Sequence, residues 1–365
     1  MGFNCGIVGL PNVGKSTLFN ALTAGSADAS NYPFCTIDPN IGVVPIPDRR
    51  LDVLAAIYAP GRTLPSTIEF VDIAGLVRGA GRGEGLGNQF LGHIRDVDAI
   101  AHVVRCFDDP NVVHVDGSVD PVRDIGVVET ELIFRDVETV EKKLADAAKR
   151  AKGGEKKSRA EAEFYARLRE HLGRGRLAMY IGPLAEEERA WLRECHLLSA
   201  KPVMYVCNVG EGDAAGDNPR VRAVREIAEK EGSRVAVVSA ALEAEVARLP
   251  ESERGEFLAE IGVREPGLTR LVHEGYALLG LVTFFTVNAR ELHAWTVPRG
   301  TPAPRAAGAV HTDFEKGFIR AEIIKFEDLE RLGSESAVRE AGLLALQGRD
   351  YVIQEGDIAQ FRFNV

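Results

Sequence analysis

Apolar positions fall in short runs along the chain, and many of the polar stretches between them carry helical spacing. Phe3 to Val8 reads as a short buried strand, and Lys15 to Thr23 as the helix that follows it. Thr67 to Val71, Ala99 to Cys106, Val203 to Cys207 and Arg234 to Val238 are further apolar strands, each followed by a polar loop and then usually by a helical pattern. Strands that alternate with helices predict a mostly parallel sheet covered on both faces, because each crossover lays a helix against the sheet.

The rhythm breaks between about Val128 and Ala200. Glu129 to Ala151 places Leu132, Val137, Val140 and Leu144 at helical spacing on a charged background. A Gly153-Gly154 break and a second charged helix, Ser158 to Leu172, follow. The pattern predicts a helical, coiled-coil-like hairpin inserted into the α/β unit. From about Leu281 the texture changes again. Thr283 to Val287, Glu291 to Thr296, Ala309 to His311 and Ile358 to Phe363 read as short strands around one or two helices. The expected division is an α/β domain from 1–128 and 200–280, a helical insertion over 129–199, and a small α+β domain over 281–365.

Composition narrows the functional classes. A length of 365 residues predicts two or three domains. A formal charge of −10 argues against a surface that coats polyanions generally, although it leaves room for a local basic patch. Such a patch lies between Lys142 and Arg159, where Lys142, Lys143, Lys149, Arg150, Lys152, Lys156, Lys157 and Arg159 face only Asp146 and Glu155. It reads either as a solvated helix face or as an RNA-contacting arm. Five cysteines without a CxxC pair fit reduced thiols rather than a zinc site or a disulfide framework. Cys35, beside Thr36, reads as a small apolar filler or as a redox-tuned neighbour of that loop. No targeting pattern is visible, and the longest apolar run, Leu278 to Val287, is half of the roughly 20 residues a membrane span requires. The expected location is the cytoplasm, with no membrane partner.

The sharpest chemical signal is Gly9-Leu10-Pro11-Asn12-Val13-Gly14-Lys15-Ser16-Thr17, which satisfies G-x-x-x-x-G-K-[ST] between a strand and a helix. Glycines let the backbone curl so that successive N–H groups point at phosphate oxygens, and the helix N-terminus adds positive potential. Asn12, Val13, Gly14, Lys15, Ser16 and Thr17 are therefore expected to hold a nucleoside triphosphate. Lys15 would reach the β- and γ-phosphates, and the Ser16 hydroxyl would ligate Mg²⁺. Glu69 to Gly75 is an apolar strand ending in D-x-x-G. Asp72 is a candidate Mg²⁺ partner, and the Gly75 N–H is placed to sense the γ-phosphate. Thr36 offers a second hydroxyl ligand. Gly-rich Arg78 to Gly87 reads as a mobile switch.

Base recognition departs from the guanine-specific pattern. N-K-x-D supplies an Asp that accepts both guanine N–H donors, but the comparable place reads Asn208-Val209-Gly210-Glu211. Asn208 can bond a purine N7 region and an exocyclic amine, which suits adenine and weakens, without eliminating, the guanine reading. Ser239-Ala240-Ala241 after strand Arg234–Val238 would either supply backbone N–H groups around the base or serve as a plain helix N-cap. Leu76 stands where a water-orienting Gln is usual, so hydrolysis is slow or relies on another polar group. His114 is one candidate, against the alternative of a surface loop histidine. Asn12 is another, through a monovalent cation held beside the phosphates.

Together GLPNVGKST, PFCTIDPN, EFVDIAGLVRGA, GEGLGNQFL and HTDFEKGFIRAE closely resemble the YchF subfamily, or Obg-like ATPases, of the translation-factor-related P-loop GTPases. The resemblance spans Gly2 to Val365. HTDFEKGFIRAE and GRDYVIQEGDI resemble a TGS domain, a small β-grasp fold. The resemblance implies a preference for ATP over GTP, ribosome binding (to the large subunit or the whole particle) and faster hydrolysis when bound. It also implies a hydrophobic residue in place of the catalytic Gln, matched by Leu76, with His114 as the catalytic candidate and Asn12 as the potassium-linked residue. Asn208, Val209 and Glu211 are ordinary within it, and the TGS domain joins the inserted helices as an interaction surface that could meet RNA. The reading that follows is a Mg²⁺-dependent, potassium-stimulated ATPase that works as a ribosome-associated switch. The alternatives are a GTP-driven assembly factor and a non-catalytic ATP-gated binding module.

Overall fold

Each apolar run in the first part of the chain becomes a strand, and the strands sort into two sheets. In a computed structural model of the protein, residues 3–24, 40–73, 94–153, 156–214, 216, 218–263 and 265–364 are described. The strands are β1 (Phe3–Val8), β2 (Ile41–Pro45), β3 (Arg62–Leu64), β4 (Thr67–Asp72), β5 (Ala99–Arg105) and β6 (Val203–Asn208). They continue with β7 (Arg234–Val238), β8 (Leu281–Val287), β9 (Glu291–Pro298), β10 (Phe318–Lys325), β11 (Ala345–Gln347) and β12 (Asp357–Phe363). The first sheet has the order β2-β4-β1-β5-β6-β7, parallel except for the antiparallel edge strand β2.

β5 is buried at every position, as a central parallel strand must be when helices cover both faces. Those helices include α1 (Lys15–Ala24), which follows the turn after β1; α2 (Arg49–Tyr58), capped by Asp48 accepting from the Arg50 N–H, packs instead on the second sheet. One core of Ile7, Val8, Leu18, Leu22, Phe70, Ile100, Val103, Met204, Val206 and Leu271 unites the sheet with its covering helices.

The helical insertion starts earlier than its apolar spacing indicated. α3 (Pro121–Ala151) begins at Pro121, with Asp120 accepting from the Val122 and Arg123 N–H groups. Proline at the first helical position gives up a hydrogen bond the helix could not make there anyway. α4 (Lys156–Gly173) returns along it, and α5 (Glu186–Cys195) closes the unit. Ile133, Val140 and Ala147, spaced by sevens, pack with Val137 and Leu144 against Phe164, Leu168 and Leu172. That is a coiled-coil seam. The buried carboxylate of Asp136 locks the base of this arm by accepting from Leu198 N (2.8 Å), Ser199 N (2.7 Å) and Ser199 Oγ (2.5 Å).

The chain then re-enters the first sheet through β6. α6 (Pro219–Glu231), α7 (Ala240–Val246), α8 (Glu251–Glu260) and α9 (Gly267–Leu278) follow. The second sheet has the order β11-β10-β12-β8-β9-β3. Its last strand comes from the N-terminal part of the chain, where β3 pairs parallel with β9 through Arg62 to Leu64. Leu51 and Leu54 of α2 share a core with Phe285, Leu292, Ile324 and Ile358. β3 and α2 thus pack with the residues that follow position 281. The strand expected over Ala309–His311 is not formed. Those residues end α10 (Ala303–Val310), whose Ala303, Ala306 and Ala307 pack at helical spacing, and His311 caps α11 (Thr312–Lys316). Alanine favours helix over strand, and Pro304 is tolerated in the first turn.

Candidate nucleotide-binding site

The phosphate-loop motif folds as strand, turn and helix: β1 ends at Val8, and α1 begins at Lys15 itself. Gly9 adopts φ +153° and Gly14 φ +98°, and Asn12 sits in the left-handed region at φ 61°. Gly14 has a second reason to lack a side chain. A Cβ there would stand 2.2 Å from Asn208 Nδ2, on top of a contact that joins two parts of the site.

Lys15 is buried, and its ammonium donates to Gly9 O at 3.1 Å and Leu10 O at 2.8 Å. Burial lowers its pKa, an effect opposed by the nearby Asp72 carboxylate. Asp72, half-buried at the end of β4, has its pKa raised by burial and pulled back by Lys15. Ser16 and Thr17 are exposed on the first turn of α1. Ser16 and Asp72 supply a hydroxyl and a carboxylate, the hard oxygen donors that suit Mg²⁺. Thr36, Gly75 and Leu76, together with Cys35 and the Arg78–Gly87 segment, lie outside the described residues.

Asn208 ends β6 with its amide nitrogen and its amide oxygen each bonded once to backbone. Its Nδ2 donates to Val13 O (2.8 Å), and its Oδ1 accepts from Ala240 N (3.0 Å). One hydrogen and one lone pair of the amide remain for a base. The Ala240 N–H, expected to face the base, is thus spent on Asn208. Ser239 stands at the N-cap of α7 without making a side-chain cap bond, and its buried Oγ has no protein partner. Val209 is buried, whereas Glu211 opens a short 3-10 turn, Glu211–Asp213.

The segment after β5 brings in residues that periodicity had not singled out. Arg105 is buried, and its guanidinium donates to Phe107 O (3.2 Å), Asp109 O (3.2 Å) and Val112 O (2.9 Å). That fork pins the loop, and Asn12 Nδ2 then donates to Val113 O at 3.1 Å. His114 is buried rather than lying on the surface. Its Nδ1 accepts from Asp116 N (3.1 Å), so Nε2 carries the hydrogen and donates to Asp124 Oδ2 (2.9 Å). The loop thus meets the phosphate-binding turn through Val113, with both His114 nitrogens occupied. Arg123 Nη2 lies 2.9 Å from Asp124 Oδ1, and its Nε 3.7 Å from Asp116 Oδ2. His114, Asp116 and Asp124 would otherwise form a metal-sized cluster, their ligand atoms within 4.8 Å of one another. The guanidinium already supplies the cation there.

Two family models match the chain. One, described as 50S ribosome-binding GTPase, covers residues 4–143, and one described as Protein of unknown function (DUF933), the YchF-type GTPase C-terminal model, covers 281–364. The protein called Ribosome-binding ATPase YchF in Escherichia coli O157:H7 is 53% identical over 365 residues, covering 100% of both chains. The chain belongs to the YchF family. The Bacillus subtilis (strain 168) YchF of the same description is 48% identical over 367 residues, again at full coverage of both. A solved structure titled Structure of the Schizosaccharomyces pombe YchF GTPase superposes with a TM-score of 0.89 at 37% identity, covering 99% of this chain and 98% of that one. The P-loop GTPase fold expected from the sequence is therefore the YchF fold. These relatives differ in the nucleotide their names carry: the bacterial proteins are called ATPases and the fission yeast structure a GTPase.

Proposed function

We propose that the protein is a cytoplasmic, ribosome-associated, Mg²⁺-dependent ATPase that works as a nucleotide switch. The observation that carries the ATP reading is the base-facing end of β6, where Asn208-Val209-Gly210-Glu211 lacks the Lys and Asp of a guanine reader. Asn208 fastens the phosphate loop to α7 with half of its amide, which leaves one donor and one acceptor for a purine edge. Adenine presents that complement, and the free Ser239 hydroxyl adds one further polar group. The names of the bacterial relatives support the same choice. Titration of ATP and GTP against the Mg²⁺-loaded protein tests it, and GTP binding at least as tightly as ATP overturns it.

Within this reading Ser16, Thr36 and Asp72 hold Mg²⁺, which when bound neutralises charge on the β- and γ-phosphates. Lys15 leaves the Gly9 and Leu10 carbonyls for the phosphates, and the Gly75 N–H meets the γ-phosphate. His114 orients the attacking water in place of the Gln that Leu76 replaces. For that, the His114–Asp124 bond must open and Nδ1 must exchange the Asp116 N–H for water. Asn12, tied to Val113 through its Nδ2, keeps its Oδ1 for a potassium ion beside the phosphates.

The ribosome acts through the arm in this proposal. Lys149, Lys152, Lys156, Lys157 and Arg159 are exposed at the tip of the hairpin, and α3 carries Asp124 in its first turn. A pull on the helix by RNA phosphates therefore reaches His114. The working division assigns 1–128 and 200–280 to the nucleotide domain, 129–199 to the arm and 281–365 to a TGS-type domain that adds a second RNA-facing surface.

A further inference from the structure

The base of the arm holds a hydrogen-bond chain that the switch chemistry does not use. Tyr205 of β6, buried three residues before Asn208, presents its hydroxyl to two carboxylates. Glu231 Oε2, at the end of α6, lies 2.6 Å from Tyr205 Oη, and Glu129 Oε1, on α3, lies 3.2 Å from it. A phenol has a single hydrogen to donate. If both carboxylates were ionised, one oxygen–oxygen contact would hold no hydrogen, and two like charges would share a half-buried pocket.

We propose that Glu129 and Glu231 share one bound proton across Tyr205, and that this proton fastens the arm to the nucleotide domain. In the protonated state Glu129 donates to Tyr205 Oη, and Tyr205 donates to the Glu231 carboxylate. The three groups come from three elements: α3 of the arm, β6 of the nucleotide sheet and α6 behind it. Losing the proton leaves two anions competing for one hydroxyl and pushes α3 away from β6. The arm therefore loosens as pH rises through neutrality.

The surroundings agree with this protonation. Burial, and after it the Glu231 charge, push Glu129 up to about 7, although the Tyr205 hydrogen bond works in the opposite direction. Burial drives Tyr205 far above the ordinary phenol range, so it stays protonated. Tyr180, in the turn Ala178–Tyr180, gives its hydrogen to Glu231 O (2.9 Å) and is pushed up to about 12, first by burial and then by Glu231. His102 on β5 stacks obliquely on Tyr205 at 5.7 Å between ring centroids. Burial, then Lys15, drives it down to about 3, so it is neutral across the window and is not the sensor. Among the described residues no lysine or arginine is paired with Glu129 or Glu231.

Linkage sets the sign of the pH dependence. A carboxyl whose pKa is raised in the folded state holds its proton where the unfolded chain has lost it. Stability therefore falls as pH rises from the ordinary Glu range to about 7 and is flat above. Full-length wild type, E129Q and E231Q are melted at about pH 5.5 and about pH 8.5. Either Gln keeps the chain bonded through the phenol and removes one charge. Both variants should gain on wild type at the higher pH, their melting temperatures rising relative to it. Amide exchange over residues 125–140, corrected for intrinsic rates, should accelerate with pH in wild type and not in E129Q. A wild-type minus E129Q difference that is constant with pH overturns the proposal. So does E231Q retaining the full wild-type pH dependence, since Glu129 would then titrate alone. A carboxylic-acid carbonyl band in the infrared near neutrality, lost in E129Q, reports the proton even if one variant folds poorly; its absence from wild type counts against the proposal.

Discussion

Replacing Asn208 by Ala removes two hydrogen bonds at once and leaves Val13 O and Ala240 N–H without their partner in a buried setting. Each orphaned group costs about 1–3 kcal/mol, so the apo protein should lose about 2–6 kcal/mol, nearer the lower end if water enters the space vacated by the amide. The phosphate loop would also lose its tie to the N-terminus of α7. ATP and GTP affinities should then both fall, because the loop serves the phosphates common to both, and ATP affinity should fall further, because the donor and acceptor left for the adenine edge are lost as well. Asn208→Asp is the sharper probe. It retains an acceptor for Ala240 N–H but sets a carboxylate oxygen against Val13 O, so it should destabilise the loop at least as much as Ala. Urea unfolding of the nucleotide-free proteins measures the stability term, and equilibrium titration with each nucleotide measures the affinities. Unchanged apo stability in Asn208→Ala, together with an altered ATP-to-GTP ratio, would rule out the fastening role and make Asn208 a base reader only.

Arg105→Lys cannot reproduce a fork that reaches three carbonyls, so it should cost about 1–3 kcal/mol and raise amide exchange over 107–114 while leaving triphosphate binding close to wild type. If His114 orients the attacking water, His114→Ala should lower single-turnover hydrolysis about 10²–10⁴-fold with little change in ATP affinity; an unchanged rate removes it from the mechanism. Lys15→Met should abolish triphosphate binding but leave the fold intact, which circular dichroism and titration check together. Charge reversal at Lys149, Lys152, Lys156 and Lys157 should weaken pelleting with ribosomes and flatten its salt dependence by about one unit of slope for each phosphate no longer engaged.

Local signals in the sequence carried further than long-range ones. β1, the phosphate loop and α1 were legible because strand, glycines and helix follow one another without interruption, and Arg234–Val238 matched β7 end to end. The coiled-coil seam was legible from its spacing, but the start of α3 was not, because Pro121 and Asp120 act as a cap only once the helix behind them is recognised. β3 is three residues with two of them exposed, so no alternation marks it, and its partner β9 lies more than two hundred positions away in the chain. Ala309–His311 shows the opposite failure: a brief apolar run is compatible with strand or helix until its packing partners are known.

At the site, residue types pointed to the groups expected to meet phosphate, yet not to the side chains that hold those groups in place. Asn208 bonds to backbone atoms that leave no trace in sequence, and His114 meets Asp124 across a loop and a helix start, ten residues away. Arg105 lies inside the run Ala99 to Cys106, which is apolar apart from it and His102, and a charged residue in such a run was the available sign that its loop is tethered inward.

An adenine-reading nucleotide pocket that drives a ribosome-dependent switch should show its preference in binding and its partner in rate. Titrating ATP and GTP under identical Mg²⁺ and potassium concentrations, with and without ribosomes, measures both. ATP should bind more tightly in each condition and be hydrolysed faster when ribosomes are present; GTP binding equal to or tighter than ATP would contradict the adenine-reading pocket.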